Sequence, residues 1–117
     1  MNRLHVVLLA GLVLRPAAAA AAGAPPPVQV IIHDHAFRPP VVHVKAGQRI
    51  VWTNTDQDPH TVTSGGANVD DGRWKSSPLI PDGATFTLRL TKPGVYPYFC
   101  KPHEFEASMH GKIIVAP

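Results

Sequence analysis

Four side chains able to bind a soft metal ion fall within eleven residues near the C-terminus: Cys100, His103, Met109 and His110. A further imidazole, His60, lies 40 positions before the thiol, in Asp58-Pro59-His60-Thr61. One thiolate, two imidazoles and a thioether meeting at a point make a trigonal His2Cys set with a weak axial Met. That set selects copper and forms an electron-transfer centre. Thiolate and thioether favour Cu(I), imidazole suits Cu(II), and a rigid frame lets both states share one geometry. Each residue also has a plainer use: a lone Cys is a small buried hydrophobe, Met fills core gaps, and a His beside Pro59 can be ordinary loop. Yet the chain has a single Cys, and in an exported protein an unpaired thiol is open to oxidation or dimerisation. With a His three residues on and a Met nine on, the ligand reading is the stronger one.

Bringing His60 to Cys100 requires two separate strands to end at one pole of the fold. The sequence supplies strands. Val28–Ile32, Val41–Val44 and Arg49–Thr53 are rich in β-branched residues. Thr85–Leu90 alternates polar and apolar without a fault, Val95–Phe99 leads directly into Cys100, and Gly111–Val115 closes the chain. Such alternation marks strands with one buried face. No stretch of 11 residues holds a helical period free of Gly or Pro. The expected fold is all-β, a Greek-key β-sandwich with antiparallel pairing.

The chain has 117 residues, enough for one domain. Met1-Asn2-Arg3 is basic, His5–Leu14 almost wholly apolar, and Ala17–Ala22 a small-residue tract. Together these describe a cleavable secretory signal peptide over residues 1–22; the apolar run is too short to span a bilayer. Residues 23–27, with Pro25–Pro27, form a stiff leader, and residues 28–117 form the domain. The formal charge of +3 includes Arg3 and Arg15, so cleavage leaves a nearly neutral protein without a basic stripe. Nucleic acid is therefore not an expected partner. The lone Cys also excludes a disulfide scaffold, a Cys-rich zinc or iron–sulfur site, haem c attachment and a thiolate-bridged dinuclear copper centre. A cysteine hydrolase is excluded too, because Cys100 ends a strand rather than opening a helix.

Several ordered segments resemble the cupredoxins, specifically the small plastocyanin and amicyanin type of blue copper protein. Phe37-Arg38-Pro39 with Val44-Lys45-Ala46-Gly47 is similar to the family's Phe-x-Pro … Val-x-x-Gly opening. Val51-Trp52-Thr53-Asn54-Thr55-Asp56 followed by Pro59-His60-Thr61-Val62 resembles the segment that carries its first His ligand. Pro93–His103 resembles the strand and Cys-x-Pro-His loop, and Met109-His110-Gly111-Lys112 the Met-x-Gly-Lys ending. The resemblance covers nearly all of residues 28–117. It implies one type-1 copper ion, held by His60, Cys100 and His103 as strong ligands and Met109 as the axial one. His103 would lie at the surface and pass the electron to a partner.

Three departures accompany the resemblance. The His103–Met109 loop is longer than in amicyanins or plastocyanins and contains Glu104 and Glu106, expected as solvent-facing rim charges. Thr61 stands where plastocyanin-type proteins often carry Asn, and Lys101 where they often carry Ser or Thr, which questions the hydrogen bond that usually joins those positions. His110 follows Met109 directly and, with Cys100, His103 and a loop Glu, could imitate a red copper site. His33 and His35, two apart on an assumed strand, and His43 are expected as solvent-facing positions, with loose binding of a second metal as the alternative.

The expected function is that of a periplasmic, soluble, monomeric one-electron carrier between redox proteins, a cytochrome or dehydrogenase among them. It is not expected to be an enzyme, nor to keep a membrane span after cleavage. Copper delivery or sequestration, suggested by the spare histidines, and a red-copper small-molecule redox site are the alternatives. Handing copper to an apo acceptor distinguishes the first, nitric oxide binding the second.

Overall fold

The computed structural model describes residues 10–11 and 23–117, so the expected signal peptide at residues 1–22 lies almost wholly outside the described residues. Among the described residues the alternation of the sequence becomes eight strands. They are β1 (Val28–Ile32), β2 (Phe37–Arg38), β3 (Val41–Lys45), β4 (Arg49–Asn54), β5 (Thr63–Ser64), β6 (Thr85–Arg89), β7 (Gly94–Phe99) and β8 (His110–Ala116). They form two four-stranded sheets, ordered β2-β1-β4-β6 and β3-β8-β7-β5. The fold is an all-β sandwich.

Period-two burial explains the packing. In β3 Val42 and Val44 turn inward while Val41, His43 and Lys45 face solvent; in β4 Ile50, Trp52 and Asn54 turn inward. Val30, Ile32, Ile50 and Trp52 of one sheet meet Val42, Val44, Tyr98, Ile113 and Val115 of the other in a single core. Burial of an aliphatic or aromatic side chain of this size contributes about 1.5–3 kcal/mol. The polar atoms of the aromatic centre are matched: Trp52 Nε1–H donates to the Tyr98 hydroxyl at 3.2 Å, and Phe37 packs edge-on to Tyr98 at 4.7 Å.

Two features depart from the sequence expectation. β1 pairs with β4, and β3 with β8, in parallel; the remaining pairings are antiparallel. Only a tight hairpin forces antiparallel pairing, and both parallel pairs are joined through strands of the opposite sheet. Strands β2 and β5 were also not read from the sequence, because two residues are too few to show a period. His33 and His35 do not continue β1. They belong to the turn that joins β1 to β2, closed by His33 N–H to Ala36 O (3.0 Å) and Ala36 N–H to His33 O (3.1 Å).

The sheets place three chain segments at one pole: the end of β4 at Asn54, the end of β7 at Phe99, and the start of β8 at His110. Phe99 and His110 sit opposite each other in the β7–β8 ladder. The loop between them therefore leaves and re-enters the sheet at one place. Gly111 is required just beyond it, since a Cβ there would lie 2.4 Å from Tyr98 Cζ.

Candidate metal centre

The loop after β7 is built from consecutive tight turns. Cys100 and Met109 close it, with Cys100 N–H donating to Met109 O at 2.9 Å. Inside, His103 N–H bonds Cys100 O, Glu106 N–H bonds His103 O and Met109 N–H bonds Glu106 O. Two short 3₁₀ turns result, Lys101–His103 and Ala107–Met109. Pro102 suits the first, where a missing N–H and a fixed φ cost nothing. This local winding puts His103 Nδ1 at 3.3 Å from Cys100 Sγ. Cys100 and Met109 are fully buried, and His103 is half-buried at the rim.

His60 arrives by a different route. Asn54, buried at the end of β4, donates both Nδ2 protons, to Asp58 O at 2.9 Å and Ile80 O at 2.8 Å. Its Oδ1 accepts from Asp56 N–H at 2.8 Å. His60 itself exchanges backbone hydrogen bonds with Ile80, His60 N–H to Ile80 O at 3.2 Å and Ile80 N–H to His60 O at 2.8 Å. The ring is wholly buried, with Nδ1 at 3.5 Å from Cys100 Sγ and Nε2 at 2.9 Å from Asp56 Oδ2.

The sulfur and the two Nδ1 atoms thus form one cluster, all within 4.8 Å of one another. Bonds of about 2.0 Å to nitrogen and 2.3 Å to sulfur, the scale set by zinc, place ligand atoms roughly 3.5–3.7 Å apart. The observed 3.3 and 3.5 Å fit an ion at the centre. The chemistry of the donors agrees. Burial pushes the His60 pKa down, against the opposing hydrogen bond to Asp56, so the ring stays neutral with an Nδ1 lone pair free to bind. Burial pushes the Cys100 thiol up, opposed by Thr61 and His103 backbone N–H groups; a cation would take the place of that proton. Thr61 N–H points at Sγ from 3.4 Å.

The questioned hydrogen bond between positions 61 and 101 is present in another form. Lys101 donates through its backbone N–H to Thr61 Oγ1 at 2.8 Å, so the side chain at 101 is not needed. Thr61 Oγ1 also bonds Thr63 Oγ1 at 2.9 Å. The link ties the two ligand-bearing segments together directly beside the sulfur.

The other histidines are engaged elsewhere. His110 Nε2 bonds Glu104 O at 2.7 Å and its ring stacks on Phe99 at 5.8 Å. His33 Nδ1 bonds Thr55 Oγ1 at 2.9 Å, and His43 faces solvent on β3. Sequence reasoning missed His35, which caps the cluster. Its ring lies edge-on to those of His60 (5.1 Å) and His103 (4.3 Å). Its nitrogens reach Asp58 at 2.8 Å and Glu106 at 2.9 Å. The hydrogen bonds to Glu106 and then to Asp58 push the His35 pKa up, outweighing its partial burial. Glu106 is thus a rim charge as expected, but a paired one. Asp56 was missed as well; no pattern in the sequence joins it to position 35.

A cupredoxin-like domain model matches residues 4–115, and this chain belongs to that family. Amicyanin-alpha of Methylorubrum extorquens is 36% identical over 88 residues, covering 74% of this chain and 70% of the relative. Amicyanin of Paracoccus denitrificans is 32% identical over 79 residues, 68% of this chain and 57% of that protein. Chloroplastic plastocyanin of Tetradesmus obliquus is 35% identical over 85 residues, again 68% and 57%. The chain thus spans less than two thirds of the length of the last two. Among solved structures, an amicyanin variant in a Cu(I) form aligns with a TM-score of 0.66 at 32% identity, covering 83% of this chain and 89% of that one. A purple cupredoxin from Nitrosopumilus maritimus aligns with the same score at 26% identity, covering 76% and 99%.

Proposed function

We propose that this chain is an exported, periplasmic type-1 copper protein that carries single electrons between redox proteins, and is not itself an enzyme. The observation that carries the reading is the convergence of Cys100 Sγ with the Nδ1 atoms of His60 and His103 at one pole of a rigid sandwich. His60, Cys100 and His103 would hold one copper ion, with the buried Met109 thioether as a weaker fourth donor. When bound, copper would supply a one-electron couple through a covalent bond to the Cys100 thiolate.

The protein's own part is to hold the donors still and dry. The β7–β8 ladder fixes both ends of the ligand loop, and the Thr61–Lys101 bond fixes it to the His60 segment. A frame set before metal arrives lets both oxidation states use one geometry, so little rearrangement opposes electron transfer. His103, half-buried and flanked by exposed Pro102 and Phe105, is the ligand nearest a docking partner. A cytochrome or a dehydrogenase fits that role. Among the described residues no helix is long and apolar enough to cross a membrane. Of the four histidines behind the delivery reading, His33, His35 and His110 bond to groups of this chain, which favours the carrier over it, while His43 faces solvent.

Adding Cu(II) to the metal-free chain should give an intense blue thiolate-to-copper band that survives repeated reduction and oxidation. A colourless product, or copper lost to an apo acceptor within one redox cycle, would sink the proposal.

A further inference from the structure

The turn between β1 and β2 carries backbone strain that the fold alone does not explain. Asp34 and His35 both have positive φ, +49° and +51°. Those are the left-handed values that a two-residue hairpin turn needs at its centre, normally met by Asn-Gly. For residues with side chains such a conformation is strained and persists only where the surroundings impose it. Here the imposing group is a carboxylate from another strand end. Asp34 N–H donates to Asp56 Oδ1 at 2.8 Å and His35 N–H to Asp56 Oδ2 at 3.0 Å. Two successive amides facing one anion make a small anion-binding nest.

The third donor to that carboxylate is His60 Nε2–H, at 2.9 Å from Oδ2. Asp56 is only 11% exposed in its side chain. Three N–H donors converge on its two oxygens, the surroundings of a carboxylate anion. A neutral imidazole that donates from Nε2 must keep its lone pair on Nδ1, the atom that faces Cys100 Sγ. A carboxylate acceptor also makes the ring a better electron donor than a neutral acceptor does.

We propose that Asp56 is a positioning residue for the metal centre, held by the strained Asp34–His35 turn, which orients His60 and biases the site toward Cu(II) over Cu(I). The inference rests on the copper reading above. Extra negative charge one hydrogen bond from a ligand stabilises the higher oxidation state, so Asp56 lowers the reduction potential. The residues of the β1–β2 turn therefore set a property of an ion they never touch.

The test compares the whole chain with its Asp56→Asn variant, which keeps the size and an acceptor oxygen but removes the charge. The Cu(II) affinity of the variant should fall by about ten- to a hundredfold while its Cu(I) affinity falls much less. A tenfold change in the ratio of the two affinities is a rise of about 59 mV in potential. Equal losses for both ions, or an unchanged potential, would assign Asp56 a merely structural role and overturn the proposal. Should the variant fail to fold, the unaltered Cu(I) protein decides. Nuclear magnetic resonance should show a slowly exchanging, far-downfield His60 Nε2 proton, and rapid exchange of that proton overturns the proposal equally. An unaltered protein without a blue band instead refutes the copper reading, a result distinct from either.

Discussion

Two segments deliver the candidate metal donors to the same pole, and they are held in opposite ways. The 100–109 loop brings Cys100, His103 and Met109 from one stretch of chain, wound by turns between near neighbours and pinned at both ends by β7 and β8. The His60 segment brings one donor and rests on Asp56 and Asn54, four and six residues before it, which reach far along the chain: Asn54 to Ile80, and Asp56 to the Asp34–His35 turn. The first is a locally written cradle that would choose which ion binds and how it is reached. The second is a long-range brace that chooses how one ring is turned and charged. Local winding tolerates an inserted residue or a new rim charge. A brace of single hydrogen bonds does not, because each buried partner left without its mate keeps its full desolvation cost.

That contrast can be broken at either side. The largest effect belongs to the cradle: Cys100→Ala should abolish the blue band altogether while the metal-free fold persists, as checked by circular dichroism. Retention of the band in this variant would show that another donor carries the colour. Next is the brace. Asn54→Leu keeps the volume but takes the Asn54 partner from Asp58 O and Asp56 N–H and leaves Ile80 O only the His60 amide, and should cost about 3 kcal/mol in urea unfolding of the metal-free chain. A loss under about 1 kcal/mol would mean that the His60 segment is held by other contacts.

Gly111→Ala probes the seam where the cradle re-enters the sheet. Its new Cβ must displace the Tyr98 ring, so about 2 kcal/mol of stability should be lost, read as a lower unfolding midpoint with the copper spectrum little changed. The smallest stability effect is expected at the rim. Phe105 is 88% exposed, and Phe105→Ala should shift stability by no more than about 0.5 kcal/mol. Electron exchange with a redox partner should slow, and an unchanged rate would remove Phe105 from the docking face.

The same contrast marks how far the sequence could be read. Cys100, His103 and Met109 stand close enough for their spacing to suggest a shared purpose, and the strands around them alternate cleanly. Strand positions were accordingly close, from Val28–Ile32 to the last strand. His60 was visible as a candidate, but its neighbours were not. Nothing about Asp56 or His35 in the sequence shows that a hairpin turn will set two amides on one carboxylate. The assumption of a continuing strand at His33 and His35 hid that turn, since left-handed values at non-glycine residues are the exception. The parallel pairings of β1 with β4 and β3 with β8 were hidden for a related reason. Pairing direction outside a hairpin is decided by which sheet each intervening strand joins.

Composition and spacing by themselves determined an all-β chain, a single thiol, and a set of donors suited to a soft metal ion. They could do so because burial alternates with the strand period and because donor type depends only on side-chain chemistry. Only the tertiary structure decided which imidazoles face the sulfur, that His110 bonds the Glu104 backbone carbonyl instead, and that His35 and Asp56 stand behind the candidate ligands. The placing of His35 and Asp56 depends on hydrogen bonds between residues about twenty to seventy positions apart in the chain, which only a closed sandwich can bring to about 3 Å.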